Sequence, residues 1–268
     1  MNERLIFLTN DDGFDSRGME ALIDIARRFG RVVVVAPERP QSGMSHAFTM
    51  LSPLFIRKVR EKEGLEVYAL SGTPVDCVKV AFDYLLRERK VDLVLSGINH
   101  GSNSAVALLY SGTMGAAMEG AAFGIPSVGF SLTDHAMDAD FSPCLPAIDL
   151  LVKAILENGL PQDVCLNVNV PDVDFVPREM RLCTPCRGHW NDEYKEYTDP
   201  FGRKFYWLTG RFENLEPDNE RTDEWSLAHG MISVVPVSIE RSADTCLDID
   251  WLPAVLARYA RLAAQATD

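Results

Sequence analysis

The chain has 268 residues, 47% of them hydrophobic, and a formal net charge of -13 from 39 acidic and 26 basic side chains. That length and apolar content suffice for one sizeable core. The acidity argues against a nonspecific grip on the backbone of long nucleic acid and leaves a local phosphate pocket open. No basic tract and no apolar run of bilayer length occurs, so neither a membrane span nor a stable nucleic-acid complex is expected. The first strand begins almost at the N-terminus, leaving no room for a signal peptide.

Leu5-Ile6-Phe7-Leu8 reads as a buried strand and leads directly into Asn10-Asp11-Asp12-Gly13. Two adjacent carboxylates at the end of such a strand are costly unless their charge is compensated. A hard divalent cation is the natural partner of carboxylate oxygens. Adjacent side chains diverge along an extended chain, so both reach one ion only where the backbone turns, which Gly13 permits. The competing explanation is an Asx-turn or helix-capping cluster, because Asp15 and Ser16 follow. From Ser16 to Phe29, the residues Met19, Leu22, Ile23, Ala26 and Phe29 recur at helical spacing, and Gly30 ends the pattern. Val32 to Ala36 is a strand apolar on both faces. The loop after it, Ala36-Pro37 through Ser42-Gly43, offers the Ser42 hydroxyl and a close backbone approach at Gly43. Ser-Gly is also an everyday turn. His46 is a candidate acid or base without a visible partner.

Val67 to Leu70 is the next strand, followed by the turn Ser71-Gly72-Thr73-Pro74 and a helix from about Val75 to Leu86. Val91 to Leu95 then feeds a glycine-rich loop, Ser96-Gly97-Ile98-Asn99-His100-Gly101-Ser102-Asn103. Asn99 and Asn103 are neutral oxygen donors, able to complete a cation's shell without making it excessively negative; a turn-only role for them is the alternative. Tyr110-Ser111-Gly112-Thr113 opens a small-residue helix, Gly112 to Phe123. Free N–H groups at such a helix start favour an anion, and Ser111 or Thr113 can cap the same helix. Neither the P-loop pattern nor the dinucleotide glycine fingerprint is present. Ser127 to Phe130, Pro143 to Leu156 and Val164 to Val170 continue as strand, helix and strand. This alternation predicts an α/β fold, a mostly parallel sheet covered by helices. In such sheets ligands collect beyond the carboxyl ends of the strands, and Asp11, Ser42, Ser71 and Asn99 all follow predicted strands.

After Pro171 the pattern changes. Arg178 to Glu213 is rich in aromatics, prolines and charges and predicts hairpins or an extended arm, assigned first to oligomerisation and second to substrate. Met231 to Val237 returns to strand, and Leu252 to Ala264 reads as a closing helix. The whole chain is expected to form a single domain, 1–268, with 172–230 as its hairpin or oligomerisation region. Six dispersed cysteines favour a reducing cytoplasm. Cys183-Thr184-Pro185-Cys186 has redox or half-zinc spacing, but with no second such pair ordinary thiols are expected.

An acidic metal site beside an anion-binding helix terminus fits metal-assisted phosphoryl hydrolysis. The ordered set Leu8-Thr9-Asn10-Asp11-Asp12-Gly13, Ala36-Pro37 through Ser42-Gly43, Ser71-Gly72-Thr73-Pro74, Ser96-Gly97-Ile98-Asn99 and Tyr110-Ser111-Gly112-Thr113 resembles the SurE family, the stationary-phase survival proteins with 5'-nucleotidase activity. Leu166 to Pro171, Thr222-Asp223 and Gly230 to Ser233 extend the resemblance over nearly the whole chain. It implies a Rossmann-like three-layer core with a C-terminal hairpin or swapped arm in homodimers or homotetramers. It also implies hydrolysis of nucleoside 5'-monophosphates, with 3'-monophosphates and short polyphosphate as further substrates. One divalent cation per subunit, Mg²⁺ or Mn²⁺, is implied on Asp11, Asp12, Ser42 and Asn99. Asp11 and Asp12 carry catalysis, by assisting water or, at Asp11, by direct attack on phosphorus. The phosphate side maps to Asn10, Gly43, Asn103, Ser111, Gly112 and Thr113. Ala105-Val106-Ala107 departs from the family's usual Gly and acidic residue, which keeps a nucleotide-binding regulatory module with weak or lost catalysis as the rival, beside a sugar- or nucleoside-processing hydrolase.

Overall fold

The computed structural model describes residues 3–136, 138–173, 176–177 and 179–240. The closing helix expected from Leu252 to Ala264 lies outside them. Leu5–Thr9 (β1) is entirely buried, with Leu5 and Phe7 in one core cluster and Ile6 and Leu8 in another. That split is what an apolar run does at a period of two when both faces of a sheet are covered. Arg17–Ala26 (α1) follows, with the Ser16 hydroxyl capping the Met19 N–H at 3.3 Å. The helix is shorter than its apolar spacing predicted, because the chain turns after Arg27 to bring Gly30 against the Arg4 carbonyl.

Arg31–Pro37 (β2) pairs parallel with β1. Ile56–Lys62 (β3) and Leu65–Leu70 (β4) form an antiparallel hairpin around Gly64, which has φ +70°. The strand β3 was not expected, since its IRKVREK sequence lacks an apolar run. It is an exposed edge strand carrying charge, a common protection against edge pairing. Pro74–Val80 (α2) is capped by a reciprocal Thr73–Asp76 box and continues as a π-helical turn, Ala81–Leu85.

Leu93–His100 (β5) runs further than the apolar pattern indicated, so Asn99 stands within a strand, not in a free glycine loop. Pairing with Ser127–Leu132 (β6) is parallel, with an irregularity between Ser96 and Asn99. Between them lies Gly112–Ala122 (α3), whose residues from Gly112 to Ala121 are all buried. A helix closed in on every side requires small residues, and Gly115 and Gly120 show it directly. A Cβ at Gly115 would stand 2.3 Å from the Ser45 carbonyl oxygen, and one at Gly120 2.5 Å from the Ser127 hydroxyl. Leu145–Asn158 (α4), Val164–Val170 (β7) and, far along the chain, Ile232–Ser238 (β13) complete the body.

The main sheet runs β3-β4-β2-β1-β5-β6-β7-β13-β8, where Met180–Leu182 (β8) lies parallel to β13. Only the β3–β4 and β7–β13 pairs are antiparallel. Helices α1 and α4 pack on one face, α2 and α3 on the other, giving the three layers expected of a Rossmann-like fold. The arm consists of Gly188–Asn191 (β9), Tyr194–Thr198 (β10), Lys204–Leu208 (β11) and Arg211–Asn214 (β12), paired as β9–β12 and β10–β11. A short helix, Asp223–Ala228 (α5), connects it back to β13.

Gly18 fixes how α1 meets β5. A Cβ there would lie 2.0 Å from the Ile98 carbonyl oxygen, a backbone atom that cannot swing away. Gly18→Ala is expected to cost about 1–3 kcal/mol by forcing the helix off the sheet, read as a lower thermal midpoint; an unchanged midpoint would show that this contact is not rigid.

Candidate active site

The chain leaves β1 through α1 toward β2 and leaves β5 through α3 toward β6, on opposite sides of the sheet centre. The carboxyl ends of β1 and β5 therefore flank a crevice, the place where open α/β sheets bind ligands. Asp11 and Asp12 follow β1, and Asn99 stands near the end of β5.

The acidic turn is built by Asn10. Its Nδ2 donates to the Gly13 carbonyl at 2.9 Å and the Ser16 hydroxyl at 2.8 Å, and its Oδ1 accepts the Gly13 N–H at 3.1 Å. Asn10, expected on the phosphate side, is wholly buried and shapes the turn. Asp11 is 5% exposed and accepts the Thr113 hydroxyl at 2.6 Å through Oδ1. Burial pushes its carboxyl up to about 6, against the lowering pull of the Thr113 hydroxyl, with the neighbouring Asp12 charge adding to the rise. Asp12 is less enclosed; burial raises it too, offset in part by His100, whose N–H reaches Asp12 Oδ2 at 3.4 Å.

Thr113 is buried against Asp11, so its hydroxyl orients the carboxylate. Gly112 allows that approach: a Cβ there would lie 2.9 Å from the Asp11 Cβ and 3.0 Å from its Oδ2. The start of α3 thus faces the acidic turn, and its positive dipole end is well placed to hold negative charge there. Ser111 caps the helix, accepting the Met114 N–H at 3.0 Å, and also lines the cleft.

The loop after β2 is tied to both neighbours. Gln41 N–H donates to the Asp11 carbonyl at 2.7 Å, and Ser45 N–H donates to the Tyr110 carbonyl at 3.0 Å. This holds exposed Ser42 and Gly43 over the crevice; Gly43 has φ +75° and open space where a side chain would be. Asn99 Nδ2 donates to the His100 and Gly101 carbonyls at 3.0 and 2.8 Å, which leaves Oδ1 as the amide's acceptor. Asn103 Nδ2 donates to Ser131 at 2.8 Å, while its backbone is held by Asn169 and Asn167.

One cleft of about 710 Å³ gathers Asp11, Ser42, Gly43, Asn99, Asn103 and Ser111. The arm lines it too, through Trp190, Glu193, Tyr194 and Leu208 among others. Sequence alone assigns the arm first to assembly and second to substrate; periodicity cannot say where a hairpin folds back, and these side chains lie at the cleft. His46, by contrast, lies outside the cleft lining: its Nε2 is 2.7 Å from Glu119 Oε2, and Lys79 Nζ is 2.5 Å from Glu119 Oε1. Burial would raise Glu119, but the His46 and Lys79 contacts more than offset it and hold its carboxyl below the usual range.

Sequence reasoning also missed Asp223, whose only signal was its place in a family-like segment. This residue is 1% exposed; Oδ2 accepts the Ala105 N–H at 2.8 Å and Oδ1 accepts the Cys186 N–H at 2.8 Å. One carboxylate thereby joins the loop carrying Asn103 to the root of the arm. Ala105 has φ +48° and begins a 3-10 turn over Ala105–Leu109. Cys183 and Cys186 are buried free thiols, beside the Ser226 hydroxyl at 3.2 Å and the Asn214 amide oxygen at 3.1 Å respectively. Burial, followed by the charges of Asp223, Glu224 and Glu216, pushes the Cys186 thiol up to about 11, so little thiolate forms near neutrality.

The family model described as Survival protein SurE matches residues 6–192. A 5'-nucleotidase SurE of Phocaeicola vulgatus is 46% identical over 239 residues, covering 89% of this chain and 92% of the relative. That of Cytophaga hutchinsonii is 44% identical over 255 residues, covering 94% and 98%. The crystal structure of SurE from Aquifex aeolicus superposes with a TM-score of 0.79 at 35% identity, covering 93% of this chain and 99% of that one. Since the match spans the acidic turn, the Ser42 loop, the Asn99 strand and the α3 terminus in one continuous alignment, the chain belongs to the SurE family.

Proposed function

We propose that the protein is a metal-dependent phosphomonoester hydrolase that removes phosphate from nucleoside 5'-monophosphates, with 3'-monophosphates and short polyphosphate as further substrates. The observation that carries this reading is Asp11: a buried carboxylate beside a second one, at the floor of a cleft bordered by Ser42, Asn99, Asn103 and Ser111. The relatives' printed name, 5'-nucleotidase, supports the substrate class. No finding favours a purely regulatory role.

The donor set fits a hard divalent cation. Asp11, Asp12, Ser42 and Asn99 present oxygen atoms throughout, as Mg²⁺ and Mn²⁺ prefer, and no cationic side chain offsets the burial of Asp11 among the described residues. When bound, the ion supplies Lewis-acid polarisation of the phosphate and makes water a better nucleophile. Thr113 holds Asp11 in position, Asn99 presents a neutral oxygen, and Asp12, the more open carboxylate, would take a proton from an attacking water. Gly43, Asn103 and Ser111 receive the phosphate. Ser111 does so at the start of α3, where the helix dipole favours an anion.

Phosphate release from a panel of nucleoside monophosphates, with EDTA and then with Mg²⁺ or Mn²⁺ restored, tests the reading. EDTA should abolish turnover and either ion should restore it; full turnover in EDTA would reject the metal assignment, and no release from any phosphate ester would reject the hydrolase. A proton competes with the ion at Asp11, so affinity should weaken as pH falls through about 6, approaching tenfold per pH unit below it. Calorimetric Mn²⁺ titrations at about pH 7.5 and pH 5 measure this, and equal affinities would place the ion elsewhere.

We also infer a homodimer or homotetramer in the cytoplasm. Met50 and Leu51 are 77% and 100% exposed beside exposed Phe48 and Phe55, an unusual density of uncovered apolar surface. The five described cysteines are free and buried, as a reducing compartment permits. No described helix is long and apolar enough to cross a membrane.

A further inference from the structure

We propose that the inner wall of the arm, centred on Trp190, is the subsite for the substrate's nucleobase; this rests on the nucleotidase reading above and extends it to a residue that selects the substrate. The arm does not merely hang beside the core. Its strand β9 packs against the 3-10 turn at Ala105–Leu109, and Cys186, two residues before β9, is anchored to the Asp223 carboxylate. The wall is therefore fixed relative to the loop that carries Asn103.

Within that wall Trp190 is held as a platform. It stands opposite Phe212 in the β9–β12 pair, and the two rings meet edge to face with centroids 5.9 Å apart. Gly210 lies against the indole: a Cβ there would stand 3.2 Å from Trp190 Cε3. Bare backbone on one side and an aromatic prop on the other leave 39% of Trp190 exposed while it lines the cleft. Tyr194 and Leu208 add apolar surface to the same wall. Exposed aromatic faces of this kind stack bases, since every base has a π-face.

The wall's chemistry sets the direction in which a nucleotide enters. Its charged lining residue is Glu193, a carboxylate that repels phosphate. The same cleft is lined by Ser42, Asn103 and, at the α3 terminus, Ser111, neutral groups suited to an anion. A cleft of about 710 Å³ is larger than a phosphate needs and falls within the range that encloses a small organic ligand. Phosphate toward α3 and base toward Trp190 is the orientation that satisfies both ends.

The test compares AMP and GMP with ribose 5-phosphate, which carries the sugar phosphate without a base. Trp190→Ala should raise KM for both nucleotides about tenfold or more while leaving kcat/KM for ribose 5-phosphate unchanged. Trp190→Phe, which keeps an aromatic face, should restore most of the nucleotide affinity. Trp190→Leu, which keeps apolar volume against Phe212 but no π-face, should behave like the alanine variant and serves in its place if that variant fails to fold. Equal losses on all three substrates would mean that Trp190 only supports the fold of the arm, and no loss on any would mean that the base lies elsewhere; either result overturns the proposal. Absence of turnover by the unaltered enzyme on every substrate would instead strike the nucleotidase reading itself.

Discussion

Asp11→Asn is expected to reduce nucleotide hydrolysis by about 100-fold or more while making the metal-free protein more stable. The amide keeps the shape of the side chain and retains an oxygen for the Thr113 hydroxyl, which donates to Oδ1 at 2.6 Å. It loses the negative charge that the cation needs, and supporting groups around metal sites alone commonly account for 10- to 100-fold. Stability should move the other way, because the charge of Asp11 is a burden without its ion. Burial raises the carboxyl from 3.8 to about 6, which corresponds to a penalty of about 3 kcal/mol once the group is ionised. The folded state holds this proton more tightly than the unfolded chain. The penalty is therefore present above pH 6, shrinks as pH falls from about 6 to 3.8, and vanishes below that. Unfolding in EDTA should show the variant ahead of the unaltered protein near pH 7.5 and level with it near pH 4. A less stable variant at pH 7.5 would mean that Asp11 is stabilised by something other than a cation.

The second large effect is expected at Asp223, which touches no substrate. Asp223→Ala should lower stability by about 3 kcal/mol or more, since the buried N–H groups of Ala105 and Cys186 both lose their acceptor. For a chain of this size that corresponds to a fall in Tm of roughly 10 °C. Ala105 is held with φ +48°, a left-handed conformation that a residue with a side chain adopts at a cost of roughly 1–2 kcal/mol. Without the carboxylate the turn should relax, and Asn103, two residues earlier, should lose its place. KM for nucleotides should therefore rise more than kcat falls, and Asp223→Asn, which keeps one acceptor oxygen, should fall between the two. A well-folded alanine variant with an unaltered KM would show that the turn is held by its other contacts.

Much of this site is legible in the chain. Strong apolar runs followed by Asp, Ser or Asn mark strand ends, and the rule that α/β ligands lie beyond those ends collects them without coordinates. Local chemistry also limits what can be read. Asn10, Gly112 and Thr113 stand among the predicted phosphate contacts in sequence, yet their side-chain or close-packing roles are absorbed by the turn and by Asp11. Adjacent residues on a turn face different ways, and no spacing rule states which one faces the ligand. The charged edge strand β3 escaped notice for a similar reason: apolar periodicity reports burial, and an edge strand has little.

By itself the sequence determined the layered α/β core, the strand-helix alternation up to β7 apart from the edge strand β3, and the acidic turn, because these follow from periodicity, capping and the cost of unpaired charge within short segments. Tertiary structure alone decided that Thr113 orients Asp11, that His46 pairs with Glu119 outside the cleft lining, that Asp223 clamps Ala105 to Cys186, and that Trp190 lines the same cleft as Asp11. Each of those contacts joins residues dozens of positions apart. The chain meets itself there only because the sheet brings β1 beside β5 and the arm folds back, and a local pattern carries no record of such a meeting.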